Sequence, residues 1–349
     1  MNILIVKHGA LGDVVRTSYF AESLRLKFGQ DLKLFWITST AALPLLISNP
    51  NIDFLTDKFS DLIKINFDHI YSLDDEVNVV SEVSTLVTKS ITGAILGANN
   101  LDYTKDSSPW FDMGLLSKLG SVEADRLKKD NVLGHAEIFR KIFAVNVVKP
   151  HLHIDNIDQD LLPKFLLDTE CFFIGINPYA GGRWPSKELT DYELECLLKE
   201  LSGLVSTANK VKIVLFGAGL DRSRNQLIAD KLQILSVFVA DTDESIIKFA
   251  QYISRMNIMI TSDSLALHFS IAQKIPTLAF FSPTSAAEID GFSTCEKLIS
   301  TSTDYCSYKK NANNTSITSK RIIKAILGSS IFQSELKSLN VKIGSLHNG

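Results

Sequence analysis

The chain has 349 residues, 45% of them hydrophobic and 21% charged, which is a globular balance in more chain than one core usually organises, so two domains are expected. Its formal net charge of −3 offers no global attraction for nucleic acid. No apolar run approaches the ~20 residues of a membrane span, which leaves at most peripheral membrane contact.

In chain order, Asn2–Lys7 reads as a buried strand and Val14–Phe28 as a helix with Val14, Ala21, Leu24 and Phe28 on one face. Lys7 interrupts the first apolar run and Gly9 follows at once, so the start does not read as a signal peptide. Strand patterns follow at Leu32–Ile37, Ile52–Leu55, His69–Leu73 and Gly93–Leu96, with helical patterns at Ala41–Ile47 and Val77–Thr88. Residues 98–132 are polar and read as a long irregular loop, and Gly134–Ala144 as a helix. The polar run Asp155–Asp160 suits a domain boundary. Beyond it, strands at Cys171–Asn177, Val211–Phe216, Val237–Ala240, Asn257–Ile260 and Pro276–Phe281 alternate with helices near 190–205, 221–233, 243–254 and 264–273. Such short crossovers predict a mainly parallel sheet with right-handed connections. Ser319–Leu327 is the last predicted helix, ahead of a polar tail. The cysteines Cys171, Cys196, Cys295 and Cys306 form no Cys-x-x-Cys pair and read as cytosolic thiols.

Two strand ends carry the strongest functional signals. After the first strand come Gly9 and Gly12, followed directly by Asp13. A dinucleotide fingerprint wants a third glycine, and a carboxylate here would repel a pyrophosphate at the helix start. Asp13 reads either as a helix cap, worth about 1 kcal/mol, or as a general base for an acceptor hydroxyl. Much later, Thr261-Ser262-Asp263-Ser264 ends a strand and opens a helix with Leu265 and His268. Ser264 and His268 are four apart on one face, so His268 is either a core histidine or one turned to a ligand. Between these, Gly181-Gly182-Arg183-Trp184-Pro185-Ser186-Lys187 sets glycines and two cations after a strand, which suits a diphosphate or a solvated loop. Gly217 and Asp241 close other strands, as tight turns or as parts of a nucleotide pocket. No histidine pair stands at metal spacing.

Together these residues resemble one family. Ile3-Leu4-Ile5-Val6-Lys7 with Gly9, Leu11-Gly12-Asp13-Val14 and Thr17 is similar to the amino terminus of glycosyltransferase family 9, the ADP-heptose:lipopolysaccharide heptosyltransferases and their relatives. Arg183-Trp184-Pro185-Ser186-Lys187 resembles its central motif, and Ser262-Asp263-Ser264 with His268, Pro276, Phe281 and Pro283-Thr284 its third. The resemblance implies an α/β protein of GT-B fold, two facing Rossmann-like domains with mainly parallel sheets. The expected organisation is an acceptor-binding domain over 1–160, a nucleotide-sugar-binding domain over 161–318, and a C-terminal helix and tail over 319–349 that packs back on the first. It implies inverting transfer from a nucleotide-diphospho-sugar, ADP-heptose first, to a saccharide, glycolipid or glycoprotein acceptor. No cofactor is implied, and a divalent cation would assist without being essential. By motif position Asp13 matches the catalytic aspartate, and Arg183 or Lys187 the cationic donor contact. Asp263, Ser264, Leu265 and His268 match the donor-binding segment. The implied location is the cytoplasm, or the inner membrane surface. Leu265 replaces a common glycine, and Thr315-Ser316 a common Cys-Met pair, which bears on the sugar. A related fold could instead serve a sugar-nucleotide epimerase or hydrolase, or a non-catalytic binding module.

Overall fold

A computed structural model describes residues 1–97, 100–155, 162–182, 184–205 and 210–338. It divides into two compact units, one of Met1–Asp155 with Ala287–Asp290, the other of Asn156–Ala286 with Gly291–Gly349. The first unit thus takes a short stretch that the sequence reading leaves in the second half.

The first unit runs β1 (Asn2–Val6), α1 (Leu11–Phe28), β2 (Lys33–Ile37), β3 (Phe54–Thr56), β4 (Asn66–Phe67), β5 (His69–Ser72), α2 (Val77–Val83), β6 (Val87–Thr88), β7 (Ile91–Leu96), β8 (Leu101–Tyr103), α3 (Ser108–Phe111), α4 (Ser121–Asp130) and α5 (His135–Ile142). Its main sheet has the order β3-β2-β1-β5-β7-β8. All neighbours are parallel except β7 and β8. Apolar runs such as Ile3-Leu4-Ile5-Val6 are wholly buried because both faces of this sheet are covered. Ile3, Ile5, Trp36 and Tyr71 face α1 and α5, while Leu4, Val6, Ile37 and Ile70 face α2. Residues 98 and 99 of the long loop read from the sequence lie outside the described residues, and residues 100–132 are more regular than their composition suggests. Tyr103 ties the segment together, its hydroxyl donating to Asp112 and accepting from the Lys118 amide. Helix α4 buries only Ala124, so its sequence shows no apolar stripe to read.

The second unit runs β9 (Phe172–Asn177), α6 (Asp191–Val205), β10 (Val211–Leu215), α7 (Leu220–Leu232), β11 (Val237–Val239), α8 (Ile246–Ile253), β12 (Ile258–Ser262), α9 (Leu265–Ala272), β13 (Thr277–Phe281), β14 (Cys295–Ile299), α10 (Ser319–Gly328) and α11 (Ser330–Ser338). The sheet order is β11-β10-β9-β12-β13-β14, all parallel. The edge strand β14 and the helix α11 go beyond the sequence reading. The placement of the C-terminal helix needs correction. Ile322, Ile323 and Ile326 of α10, with Phe332 and Leu336 of α11, enter the core of the second unit beside Leu194, Leu197 and Leu198 of α6. The helix that the sequence reading packs back on the first domain thus adds its apolar side chains to the core of the second unit, against α6 and β14. Thr318 caps α10 through its hydroxyl, which accepts the Arg321 amide.

Candidate active site

In each six-stranded sheet the strand order reverses once. Ligands of open α/β sheets gather outside the carboxyl ends of the strands at such a reversal, where two loops part. In the first unit it lies between β1 and β5, with Val6 opposite Ser72. That register brings the turn after β1 beside Asp74. The Asp74 carboxylate, 3% exposed, accepts the amides of His8 at 2.5 Å and Gly9 at 3.5 Å and pairs with the Lys7 ammonium at 3.2 Å. A protein carboxylate therefore sits where a dinucleotide fold would seat its phosphate. Burial pulls the His8 imidazole below its usual pKa, against the charge of Asp74.

Asp13 is the third residue of α1, and Gly12 the second. The capping position belongs to Ala10, so the cap reading of Asp13 does not hold. Its side chain is 32% exposed and pairs with Arg16, one turn on, at 2.8 Å. Gly9 has open space where a side chain would stand. The sequence reading missed Asp74 and Arg16. Only the second left a local trace, the three-residue spacing that brings helix side chains together.

In the second unit the reversal lies between β9 and β12, with Asn177 opposite Thr261. Asn177 donates from Nδ2 to the Tyr179 carbonyl at 2.9 Å and to the Ser264 hydroxyl at 3.0 Å. Ser262 donates to the same carbonyl at 2.7 Å. These bonds stitch the loop after β9 to the turn after β12. Onto that seam comes Lys187, whose ammonium meets the Asp263 carboxylate at 2.7 Å, and Thr284 donates to the same oxygen at 2.7 Å. Burial alone would push the Asp263 carboxyl up, but Lys187 first, then Thr284 and the charge of His268, outweigh it and hold it below its usual range. Ser264 occupies the capping position of α9 and Leu265 opens the helix. His268 is 8% exposed and buried in the helix. Gly181 and Gly182 both adopt left-handed backbone, φ 73° and 72°, with open space beyond them. The Gly181 amide is taken by Asp221, a carboxyl raised by burial and by Glu188 against the pull of Arg224.

Other sequence candidates separate from this cluster. Gly217 is a packing glycine, since a Cβ there would lie 2.9 Å from the Asp221 Cβ. Asp241 follows the edge strand β11 and pairs with Arg222 at 3.0 Å, with β10 and β9 between that strand and β12. Arg183 lies outside the described residues. Among the described residues no group of three or more His, Cys, Asp or Glu is placed to hold a metal ion, and no helix is long and apolar enough to cross a membrane.

Residues 176–318, which span this whole cluster, match glycosyltransferase family 9 (heptosyltransferase). The chain carries a glycosyltransferase family 9 domain. The family 9 domain makes the chain a glycosyltransferase, and it covers β9 through to the start of α10. No curated protein matches the chain. Solved structures extend the likeness to both units. The family 9 glycosyl transferase of Veillonella parvula DSM 2008 shares 18% identity at a TM-score of 0.66, over 93% of this chain and 95% of that one. E. coli ADP-heptose lps heptosyltransferase II shares 16% at 0.65, over 96% and 100%. E. coli heptosyltransferase WaaC with ADP shares 13% at 0.64, over 93% and 99%. At such identities the likeness is one of fold, and that fold is GT-B.

Proposed function

We propose that this glycosyltransferase moves a sugar, with inversion, from a nucleotide-diphospho-sugar to a hydroxyl of a saccharide or glycoconjugate, and that ADP-heptose is the donor. The observation that carries this reading is the position of Lys187, Asp263 and the α9 start at the strand reversal of the family 9 domain. The ligand named for one structural neighbour is ADP, and for another study of it ADP-2-deoxy-2-fluoro heptose, which supports the choice of donor.

The chemistry follows from the groups present. Asp13 accepts the proton of the acceptor hydroxyl as its oxygen attacks the anomeric carbon. The bond from that carbon to the diphosphate oxygen breaks, through a state with oxocarbenium character. The departing diphosphate gains charge. Lys187 and the amides at Ser264 and Leu265 are preorganised to receive it. Asp74 fills the corresponding amides of the first unit, so the nucleotide belongs on the second. Asp263 serves the site through Lys187, holding its ammonium until phosphate competes for it. The Lys187 ammonium and these amides suit a reaction with no essential metal. The acceptor side is assigned to the turn Gly9–Gly12 and the folded segment 101–130. We place the reaction at the cytoplasmic side, with peripheral contact where the acceptor is a glycolipid.

The test is a thermal-shift screen with ADP-, GDP-, UDP- and CDP-sugars, followed by transfer to saccharide and glycolipid acceptors with the product anomer assigned by NMR. A donor that binds the native state raises its melting temperature according to affinity and concentration. Retained configuration, or no response to any nucleotide sugar, would refute the reading.

A further inference from the structure

We propose that Arg16 is a positioning residue for Asp13, holding the base in place by an ion pair that Trp110 and the Glu288 carbonyl in turn hold steady. This rests on the reading of Asp13 as the base. The Arg16 side chain is 12% exposed, and its Nη2 meets the Asp13 carboxylate at 2.8 Å, within the range of a charge-assisted hydrogen bond. Its Nη1 donates to the Glu288 carbonyl at 3.4 Å. The guanidinium also lies 5.3 Å from the centre of the Trp110 ring, as a planar cation over an aromatic face.

Trp110 is fixed in its own right. Its ring meets His135 edge-on at 5.4 Å and Phe139 at 5.1 Å, both from α5. Glu288 is fixed as well, since its carbonyl accepts the His135 amide at 3.0 Å. The chain of contact therefore runs from the α5 core through Trp110 to Arg16 and ends on Asp13. A half-buried aspartate at a helix start would otherwise sample several rotamers. A general base must stand within hydrogen-bond reach of the proton it takes, and a misplacement of about 1 Å can cost 10²-fold in rate. The arrangement also gives the segment around Trp110 a task. A change in that segment on acceptor binding would reach the base through Arg16.

The experiment has two arms. In the first, the guanidinium resonances of 15N-arginine-labelled full-length protein are recorded for wild type and D13N. Loss of the pair should move the Arg16 signals and leave other arginines in place. Unmoved Arg16 signals overturn the proposal whatever the enzyme transfers. In the second, ADP release from ADP-heptose in the presence of lipopolysaccharide core saccharide is measured for R16Q, R16K, D13N and D13N/R16Q, with melting temperature as the folding control. R16Q should lower kcat by roughly 10–100-fold and leave KM for ADP-heptose within about twofold, as expected for an interaction that matters in the transition state. R16K should recover part of kcat, since it keeps the charge and loses the planar fork. The double variant should be no slower than D13N, because the two residues act as a unit. Wild-type kcat in R16Q with D13N inactive overturns the proposal alone. Wild-type kcat in D13N removes the base reading and this proposal together.

Discussion

Replacing Lys187 with methionine isolates the pair at the centre of the candidate donor site. The ammonium and the Asp263 carboxylate stand 2.7 Å apart, with 16% and 13% of their side chains exposed. Removing one partner of a buried pair costs about 3–5 kcal/mol, and a hydrogen bond to a charged group about 1.5–3. Here the residual exposure and the Thr284 hydroxyl, which keeps its bond to the same oxygen, place the expected loss below the buried-pair range, at about 2–3 kcal/mol at neutral pH. For a unit of about 150–250 residues this corresponds to a fall of roughly 5–10 °C in melting temperature. The pH dependence has a definite sign. Asp263 is held below its usual pKa, so its contribution is complete above the unfolded value near about 4 and is lost as pH falls through the folded one. In K187M burial acts without the ammonium, the carboxyl rises, and the gap to wild type narrows between neutral pH and about pH 4. Adding D263N should restore part of the stability at neutral pH, since an amide costs less to bury than an unpaired carboxylate. Urea unfolding of the three proteins at both pH values measures this. A loss under about 0.5 kcal/mol at neutral pH, or a gap that does not change with pH, would show that the pair is not formed in solution.

Four further outcomes are expected. D13N should fold and bind ADP as wild type does, with turnover lower by ~10²-fold or more, measured as transfer to acceptor; unchanged turnover would leave Asp13 with no role beyond its ion pair. D74A strands the His8 and Gly9 amides and the Lys7 ammonium, and should lose about 2–4 kcal/mol by urea unfolding while ADP affinity on the second unit is kept. H268A empties a buried position of α9 and should lower the melting temperature along with donor affinity; a loss of affinity at unchanged stability would instead mark a ring turned to the ligand. Turnover should survive excess EDTA, and a complete, metal-restorable loss would mean that the Lys187 ammonium and the amides at Ser264 and Leu265 do not suffice for the diphosphate.

The parallel strands were legible because Val- and Ile-rich runs buried on both faces leave a plain signal, and each of these runs ends in residues that cannot extend it. That is why the turns after β1 and β12 stood out. Long-range pairs left no such mark. Asp74 lies 65 residues from Gly9, and Lys187 lies 76 from Asp263, so nothing in local spacing announces either contact. Lys187 was legible as a cation near a phosphate loop but not as one already paired. Residues 101–130 were missed as structure because their buried side chains, Tyr103, Phe111 and Met113 among them, follow no regular period, and α4 buries only Ala124. Strand β14 was missed because Cys295, Glu296 and Lys297 are only partly buried at the sheet edge.

Residues 287–290 have a consequence for how this protein is made. Asp290 accepts the Ala136 amide at 2.6 Å, and Glu288 accepts that of His135, so the opening turn of α5 is completed by chain synthesised some 150 residues later. Gly134 makes room for this, as a Cβ there would fall 2.1 Å from the Asp290 carboxylate. Vectorial synthesis usually lets an amino-terminal domain finish before the next begins. Here the ribosome must first translate β9 to β13, so the amino-terminal half waits on the nascent chain with α5 unfinished. A fragment ending at residue 155 would stay permanently in that waiting state, and should prove the poorer half to express alone.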